Sequence, residues 1–272
     1  MKMIGKGIVN YCNRTIVPII GHMFCSRNKY CNVIYYHDIV SGEGYSYMKT
    51  NLEVFKRQME WLSREGYETL RFDDLDEERI RFKKKRILIA FDDGWRSNYD
   101  EIFYYMQQRG LKYNIFLTIG EIGANPNYLT WTLVREMYKS GIVGFGTHTF
   151  SHPDMSLLAK EEYNKEVFFA DSTFEKELGY HPMDFCYPFG FYNNRNNEWM
   201  ETHSNYQRVY TSDQIYSYDL GKIIIFGRNG ISNNDSFSLF VNKVKGYTNF
   251  QGVYDNCITK RLFSFYHKML TR

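Results

Sequence analysis

The 272-residue sequence has no apolar run that approaches the roughly 18 residues needed to span a bilayer. Near the N-terminus an apolar stretch is interrupted by Asn10, Asn13 and Arg14 before it reaches signal-peptide length. These absences predict a cytoplasmic protein, although residues 16–24 could still lie on a membrane surface. 

Paired cysteines, an excess of one charge and phosphate-binding loops are also missing. The five cysteines are scattered, with no Cys-x-x-Cys pair, which favours a reducing compartment. A net charge of +3, from 34 basic and 31 acidic residues, does not indicate a nucleic-acid partner. No glycine-rich phosphate motif follows a predicted strand, so phosphate-loop and dehydrogenase folds are excluded.

What is present indicates one large globular domain. Hydrophobic residues make up 43% of the chain and charged residues 24%, which is enough to bury a sizeable core. Aromatic residues reach 18%, with 24 Tyr and 21 Phe. Such rings either line a sugar-binding cleft or reflect the compositional bias of the source genome.

From Asn32 onward short β-rich runs alternate with amphipathic helical runs, which is typical of βα units around a mainly parallel sheet. The predicted strands are 32–36, 67–70, 87–91, 113–117, 143–147, 184–187, 207–211 and 223–226. The predicted helices are 51–65, 99–109, 129–140, 160–178 and one that begins near Ser236. We expect an N-terminal extension over 1–31, a catalytic domain over 32–246 and a basic, aromatic tail over 247–272, which either packs on the domain or lies on an anionic membrane.

Polar groups follow the apolar strands at the points where these strands end. They are His37, the pair Asp92 and Asp93, His148, and the turn after Tyr187. In parallel α/β barrels the loops after the strands converge on one face, which carries the active site. We therefore expect these residues to meet.

Asp93, His148 and His152 form a candidate metal set. One carboxylate and two neutral imidazoles suit zinc or a similar divalent ion and leave coordination positions for water and substrate. The His-x-x-x-His spacing places both rings on one side of a tight turn, and Pro153 restricts the backbone after it. Asp92 would then remain free to act as a general base. The alternative is that Asp92-Asp93-Gly94 is only a turn that caps the next helix.

The sequence resembles the polysaccharide deacetylases with the NodB homology domain, carbohydrate esterase family 4. Residues 91–94 (Phe-Asp-Asp-Gly) resemble its first motif, with Ala90 in place of the usual Thr. Residues 148–153 (His-Thr-Phe-Ser-His-Pro) resemble the second motif, and residues 187–190 (Tyr-Pro-Phe-Gly) the third. The resemblance spans about residues 32–246 and implies a distorted (β/α) barrel of about seven parallel strands in a single domain.

The resemblance implies hydrolysis of an N-acetyl group from an amino sugar of a bacterial glycan or its precursor. It assigns Asp92 as base, Asp93, His148 and His152 as ligands of a divalent metal, most simply Zn²⁺ with Co²⁺ or Ni²⁺ as alternatives, and the Phe189 N–H as oxyanion donor. The metal would polarise the acetyl carbonyl and acidify a water, from which Asp92 takes the proton. 

The sequence departs from the family pattern at two positions. The late Leu-x-His motif that supplies the catalytic acid is absent, and we predict that His37, oriented by Asp38, replaces it because the first and last strands of a barrel are neighbours. His37 could instead be structural or contact substrate.

The arginine that usually braces the base is also absent. Arg228 could pair with Asp92 from another direction, bind an anionic group of the substrate, or form a surface salt bridge. Tyr187 and Trp95 are further candidates for contacting substrate or orienting the base, although Trp95 could also plug the barrel mouth.

Two alternatives remain open for the function. The same site could cleave an O-acetyl ester of a carbohydrate, since the motifs do not distinguish the two leaving groups. A catalytically silent glycan-binding barrel is the other alternative, which the two missing motifs suggest and the retained aspartates and histidines oppose.

Overall fold

The computed structural model describes residues 15–21, 23, 28–42, 48–83 and 85–249. Most of the predicted tail, including all of residues 250–272, lies outside these ranges, as does part of the stretch 16–24. Within the described part, no helix combines the length and apolarity that a membrane crossing requires.

Twelve strands and seven helices are bounded in the described residues. The strands are β1 (Asn32–Tyr36), β2 (Asp38–Val40), β3 (Lys49–Asn51), β4 (Glu68–Leu70), β5 (Arg86–Phe91), β6 (Tyr113–Leu117), β7 (Val143–Thr147), β8 (Asp184–Cys186), β9 (Arg208–Tyr210), β10 (Tyr218–Leu220), β11 (Ile223–Phe226) and β12 (Asn229–Gly230). The helices are α1 (Leu52–Arg64), α2 (Ser97–Asp100), α3 (Phe103–Gln108), α4 (Trp131–Lys139), α5 (Lys160–Leu178), α6 (Asn194–His203) and α7 (Phe237–Val244).

The main sheet is parallel apart from β10, which confirms the predicted α/β class. Its strands run in the order β10-β11-β9-β8-β7-β6-β5-β1-β12, with β4 beside β5. β11 pairs with β9 and β12 pairs with β1, and only Gly227 and Arg228 separate β11 from β12. The extended segment 223–230 therefore connects the two edges of the sheet, which makes it the neighbour of β1 that the barrel prediction requires.

Alternate residues of the central strands face one another inside this curved sheet. They form a compact aromatic and aliphatic cluster: Val33 and Tyr35 of β1, Leu88 and Ala90 of β5, Phe116 of β6, Cys186 of β8, Tyr210 of β9 and Phe226 of β11. The intervening residues pack against the helices, so β5 is buried along its whole length. Burial on both faces explains why its sequence reads as a continuous apolar run.

Local sequence signals explain most helix boundaries. Asn51 accepts hydrogen bonds from the backbone N–H groups of Glu53 and Val54 at the start of α1, and Gly66 adopts φ 71° just beyond its end. The prediction of one continuous helix over 99–109 is wrong, because Ile102 adopts φ −120° and separates α2 from α3 while its side chain is fully buried. Helix α6 was not predicted, because its asparagine-rich sequence has little apolar periodicity.

A buried ion pair lies where β8 and β9 begin, at the end of the sheet opposite the strand carboxyl ends. Arg208 donates to both carboxylate oxygens of Asp184 at 2.6 and 2.7 Å, and the Tyr210 hydroxyl donates to the same carboxylate at 2.8 Å. Both charged side chains are less than 10% exposed. Each of the two buried charges is thus satisfied by the other.

We expect Asp184→Ala to lower the free energy of unfolding by roughly 3–5 kcal/mol, because it leaves the Arg208 guanidinium buried without a counter-charge. Urea denaturation of the purified variant measures this change. Glu177→Ala is the matched control, since it removes a partly exposed ion pair with Arg135 and should cost less than about 1 kcal/mol. Equal losses for the two variants would contradict the structural role of the buried pair.

Candidate metal centre and active site

The structure brings the predicted polar residues together at the carboxyl ends of the parallel strands. Asp92 and Asp93 follow β5, His148 follows β7, and the turn Pro188–Gly190 follows β8. His37 follows β1, and Arg228 lies between β11 and β12.

The three candidate metal ligands converge on a small volume. Asp93 Oδ1 lies 3.6 Å from His148 Nε2 and 3.3 Å from His152 Nε2. One ligand atom from each residue lies within 4.8 Å of the other two. The separations suit three side chains arranged around a common ion, with Asp93 and His148 buried and His152 partly exposed.

The tautomer of His148 is determined by a hydrogen bond at Nδ1, the ring nitrogen that points away from Asp93. Nδ1 lies 2.7 Å from the carbonyl oxygen of Cys186, which can only accept, so Nδ1 carries the hydrogen and Nε2 presents a lone pair. Burial and the neighbouring His152 lower the pKa of His148 to about 3, which keeps the ring neutral. Such a backbone bond to the outer nitrogen is typical of metal-binding histidines.

These groups fit a divalent cation. Asp93 Oδ1 is buried and has no hydrogen-bond donor among the described residues, although it faces the lone pair of His148. Burial raises the pKa of Asp93, because its charge is poorly solvated there. A cation between one carboxylate and two imidazoles would satisfy all three electron-rich atoms, and a set of two histidines and one carboxylate is among those that hold zinc in catalytic sites.

Backbone strain is concentrated at this site. Five non-glycine residues in the described part have positive φ, and four of them are Asp93 (74°), Thr149 (66°), His152 (60°) and Phe189 (57°). A left-handed conformation costs an L-residue about 1–2 kcal/mol, so it persists only where surrounding contacts enforce it. The strain marks the same loops that the motifs identified.

Glu166 holds the loop between the two histidines. From α5 it accepts hydrogen bonds from the backbone N–H groups of Phe150 and Ser151 at 3.0 and 2.8 Å and from the Ser151 hydroxyl at 2.6 Å. The Thr149 hydroxyl accepts a further bond from the His152 N–H. The sequence did not identify Glu166, since a glutamate on a polar helix carries no signal of its own.

Asp92 is held by a buried bidentate ion pair with Arg228. Nη1 and Nη2 of Arg228 donate to the two carboxylate oxygens at 2.7 and 2.8 Å, and Nε donates to the Thr211 carbonyl at 2.9 Å. The guanidinium is fully buried and lies over the Tyr35 ring at 4.1 Å. Arg228 is thus not on the surface, and of the alternatives considered from the sequence it makes the pairing with Asp92.

The charge state of Asp92 follows from this contact. Burial alone would raise its pKa, but the adjacent Arg228 guanidinium outweighs burial and holds the pKa at about 2. Asp92 is therefore ionised throughout the neutral range.

His37 also lies near Asp92. Its Nε2 is 3.9 Å from Asp92 Oδ2, and its side chain is 14% exposed. Asp38 does not orient it as expected, because that carboxylate accepts from the Ser97 hydroxyl at 2.6 Å and faces Lys49. The carbonyl of His37 instead accepts from the Asn98 side chain at 3.2 Å.

Of the remaining candidates, Trp95 and Phe189 contact the candidate metal ligands, whereas Tyr187 points elsewhere. Trp95 Nε1 donates to Asp93 Oδ2 at 2.9 Å, so this ring contacts the metal set rather than Asp92. Phe189 is 42% exposed, and its ring contacts the edge of His152. The Tyr187 side chain does not line the site as expected, since it is fully buried and donates to Asn197 at 3.1 Å.

Fold and site together define an α/β protein of NodB type with a carboxylate–imidazole centre at its strand ends. Residues 79–206 match the family model described as polysaccharide deacetylase. This segment contains both aspartates and both histidines, and it belongs to the polysaccharide deacetylase family. His37 and Arg228 lie outside the matched segment.

Curated relatives carry related descriptions. A Bacillus subtilis protein, YxkH, whose polysaccharide deacetylase assignment is provisional, is 29% identical over 59% of this chain and 57% of its own. A peptidoglycan-N-acetylglucosamine deacetylase of Bacillus cereus is 26% identical over 58% of this chain and 56% of its own. A poly-β-1,6-N-acetyl-D-glucosamine N-deacetylase of Staphylococcus epidermidis is 28% identical over 51% of this chain and 48% of its own. The chain thus spans about half the length of these relatives.

Solved structures share the fold. A polysaccharide deacetylase from Bacillus cereus superposes with a TM-score of 0.70 at 21% identity, covering 80% of this chain and 69% of that one. The Streptococcus pyogenes deacetylase PplD, solved with acetate, gives a TM-score of 0.70 at 20% identity, covering 80% of this chain and 99% of that one. 

We expect Arg228→Met and Asp92→Asn to be strongly coupled in stability. Arg228→Met alone should lower the free energy of unfolding by roughly 3–5 kcal/mol, because Asp92 is left buried and unpaired. Adding Asp92→Asn should restore more than about 1 kcal/mol of that loss. Urea titrations of all four proteins in a chelator measure the coupling, and single effects that simply add would contradict it.

Proposed function

We propose that the chain is a metal-dependent hydrolase that removes an N-acetyl group from an amino sugar of a glycan. The observation that carries the proposal is the different environment of two adjacent carboxylates. Asp93 directs an unpartnered oxygen toward two imidazoles, whereas both oxygens of Asp92 are held by Arg228. This arrangement supports the assignment of Asp93 as a metal ligand and Asp92 as a general base. Two of the relatives named above are described as deacetylases of N-acetylglucosamine-containing glycans, which supports the amino-sugar substrate.

Asp93, His148 and His152 would hold the metal, for which we propose Zn²⁺. When bound, such an ion polarises a carbonyl oxygen and makes water more acidic. 

Asp92 would take the proton from the attacking water. A carboxylate oxygen has two lone pairs, so a hydrogen bond from Arg228 to each oxygen leaves acceptor capacity for water. The buried guanidinium also fixes the orientation of the carboxylate and keeps it ionised. Asp92 is therefore a preorganised acceptor whose geometry does not depend on substrate.

The turn after β8 would stabilise the negative charge that develops on the acetyl oxygen. We assign this role to the backbone N–H of Phe189, whose left-handed conformation and contact with His152 place the residue beside the candidate ligands. Its half-exposed ring offers an apolar surface at the rim against which a sugar could lie.

His37 would donate the proton to the departing amine. It approaches Asp92 from β1, whereas Arg228 approaches from the adjoining segment 223–230. Residues 227–249 contain no histidine, and His148 and His152 are assigned to the metal, so we assign the acid role to His37. 

Asp92→Asn should retain the metal and lose deacetylation by a factor of about 10² or more, because the amide cannot accept the proton. Metal content and release of free amine are measured on wild type and variant with chitooligosaccharides and acetylated β-1,6-linked glucosamine oligomers. Asp93→Ala is the contrasting variant and should lose both metal and rate.

The products distinguish the competing functions. Free amine from the wild type supports the proposal, whereas exclusive release of acetate from O-acetylated sugars would replace it with an esterase. A wild-type protein that contains no metal after supplementation, and that hydrolyses neither substrate class, would contradict both and favour a silent glycan-binding barrel.

The role of His37 is tested by varying the leaving group. His37→Gln should slow hydrolysis of the N-acetyl sugar by about 10²-fold or more, since an amine must be protonated to depart. Hydrolysis of 4-nitrophenyl acetate should change much less, because 4-nitrophenolate leaves without a proton. His203→Gln, which alters an exposed histidine on α6, is the control. An equal loss on both substrates would assign His37 a structural or binding role.

A further inference from the structure

Trp95 makes a contact that acid–base chemistry does not use. Its indole Nε1–H donates to Asp93 Oδ2 at 2.9 Å, two residues along the chain. The other oxygen, Oδ1, is buried without a donor and faces the nitrogens of His148 and His152. The two oxygens of one carboxylate therefore have separate environments.

We propose that Trp95 is a positioning residue that selects which oxygen of Asp93 is presented to the metal. This inference rests on the metal site proposed above. An indole N–H is a donor only, so it occupies one carboxylate oxygen and cannot itself compete for a cation. With Oδ2 engaged, rotation of the carboxylate about its terminal bond would break the hydrogen bond, and Oδ1 remains directed at the imidazoles.

The contrast with Asp92 supports this assignment. Arg228 engages both oxygens of Asp92 and brings a positive charge, which disfavours a cation at that carboxylate. Trp95 engages one oxygen of Asp93 and brings no charge. The two adjacent carboxylates are chemically alike, so their different hydrogen-bond partners account for their different proposed roles.

The Trp95 ring is itself fixed by a neighbouring loop. It stacks on Tyr128 with ring centroids 4.6 Å apart and an interplanar angle of 26°, and the two residues form a backbone bridge. Leu129 N–H donates to the Gly94 carbonyl at 2.9 Å, which ties the loop to the Asp-Asp-Gly turn. Tyr128 therefore acts on Asp93 through Trp95.

The main chain of Asp93 is restrained, so the orientation of its carboxylate depends on the side chain. Asp93 has φ 74°, and its carbonyl accepts from the Thr118 N–H at 3.1 Å. The main chain at this position is fixed, so the remaining freedom is the side-chain rotation that the indole restrains. Restraints of this kind on metal ligands typically change metal affinity by about 10- to 100-fold.

The test is the equilibrium affinity of each protein for Zn²⁺, measured by competition with a fluorescent zinc chelator. Trp95→Phe removes the N–H while keeping an aromatic ring, and should weaken zinc binding by about 10- to 100-fold. Tyr128→Phe preserves the stacked ring and should bind as the wild type does. Tyr128→Ala removes the stack and should weaken binding by a smaller factor.

Trp199→Phe is the matched control. It makes the same substitution at a tryptophan on α6 whose Nε1 has no hydrogen-bond partner in the described structure. Zinc affinity equal to that of the wild type is expected for this variant.

The outcomes separate the two levels of the proposal. A wild type that does not bind zinc overturns the metal site and the inference together. Zinc binding by the wild type with an unchanged affinity in Trp95→Phe overturns only the role of Trp95. Should Trp95→Phe fail to fold by circular dichroism, Tyr128→Ala decides, and an affinity within twofold of the wild type then refutes the inference.

Discussion

The buried contact between Arg228 and Asp92 is the interaction on which the rest of the site depends. It joins the segment that closes the curved sheet to the carboxyl end of its central strand β5. Two opposite charges in the interior are tolerable only as a well-formed, hydrogen-bonded pair, and the bidentate contact between Arg228 and Asp92 meets this condition. Arg228 donates to both oxygens of Asp92, whereas Asp93, the next residue along the chain, has one oxygen without a hydrogen-bond donor facing His148 and His152.

The polar partners of His148, Asp93 and Asp92 each determine a different property: a hydrogen position, a carboxylate orientation and a charge. The Cys186 carbonyl fixes the hydrogen of His148 on its outer nitrogen, Trp95 engages one oxygen of Asp93, and Arg228 holds Asp92 charged. None of these partners is interchangeable, because a carbonyl only accepts, an indole only donates, and a guanidinium adds charge. Asp92 is therefore charged and His148 neutral before any substrate arrives.

Much of this arrangement could be predicted from the sequence, because its signals are local. Strands β1, β6, β7 and β11 and helix α5 have the predicted bounds, since apolar runs between turn residues determine them. The motifs that contain Asp93, His148 and His152 predicted their convergence, because carboxyl ends of parallel strands meet on one face. The sequence left three roles open for Arg228. Its pairing with Asp92 could not be selected among them, because the two residues are 136 positions apart and meet only in the folded sheet.

Contacts made by single residues from distant elements were not predictable. Glu166 reaches the histidine loop from a helix whose sequence gives no sign of this role, and Tyr128 reaches Trp95 from a connecting loop. Asp38 was wrongly expected to orient His37, because adjacency in sequence suggested a contact that successive residues of an extended chain, which point to opposite sides, do not make. The loss of periodicity in asparagine-rich α6 concealed that helix.

The central claim is that the two aspartates have separate roles, and anomalous X-ray diffraction from crystals grown with zinc tests it most directly. Data collected above and below the zinc absorption edge should give one peak within roughly 2.0–2.3 Å of Asp93 Oδ1 and the Nε2 atoms of His148 and His152. Both oxygens of Asp92 should remain on Arg228. A peak bonded to Asp92, or no peak beside the two histidines, would contradict the account.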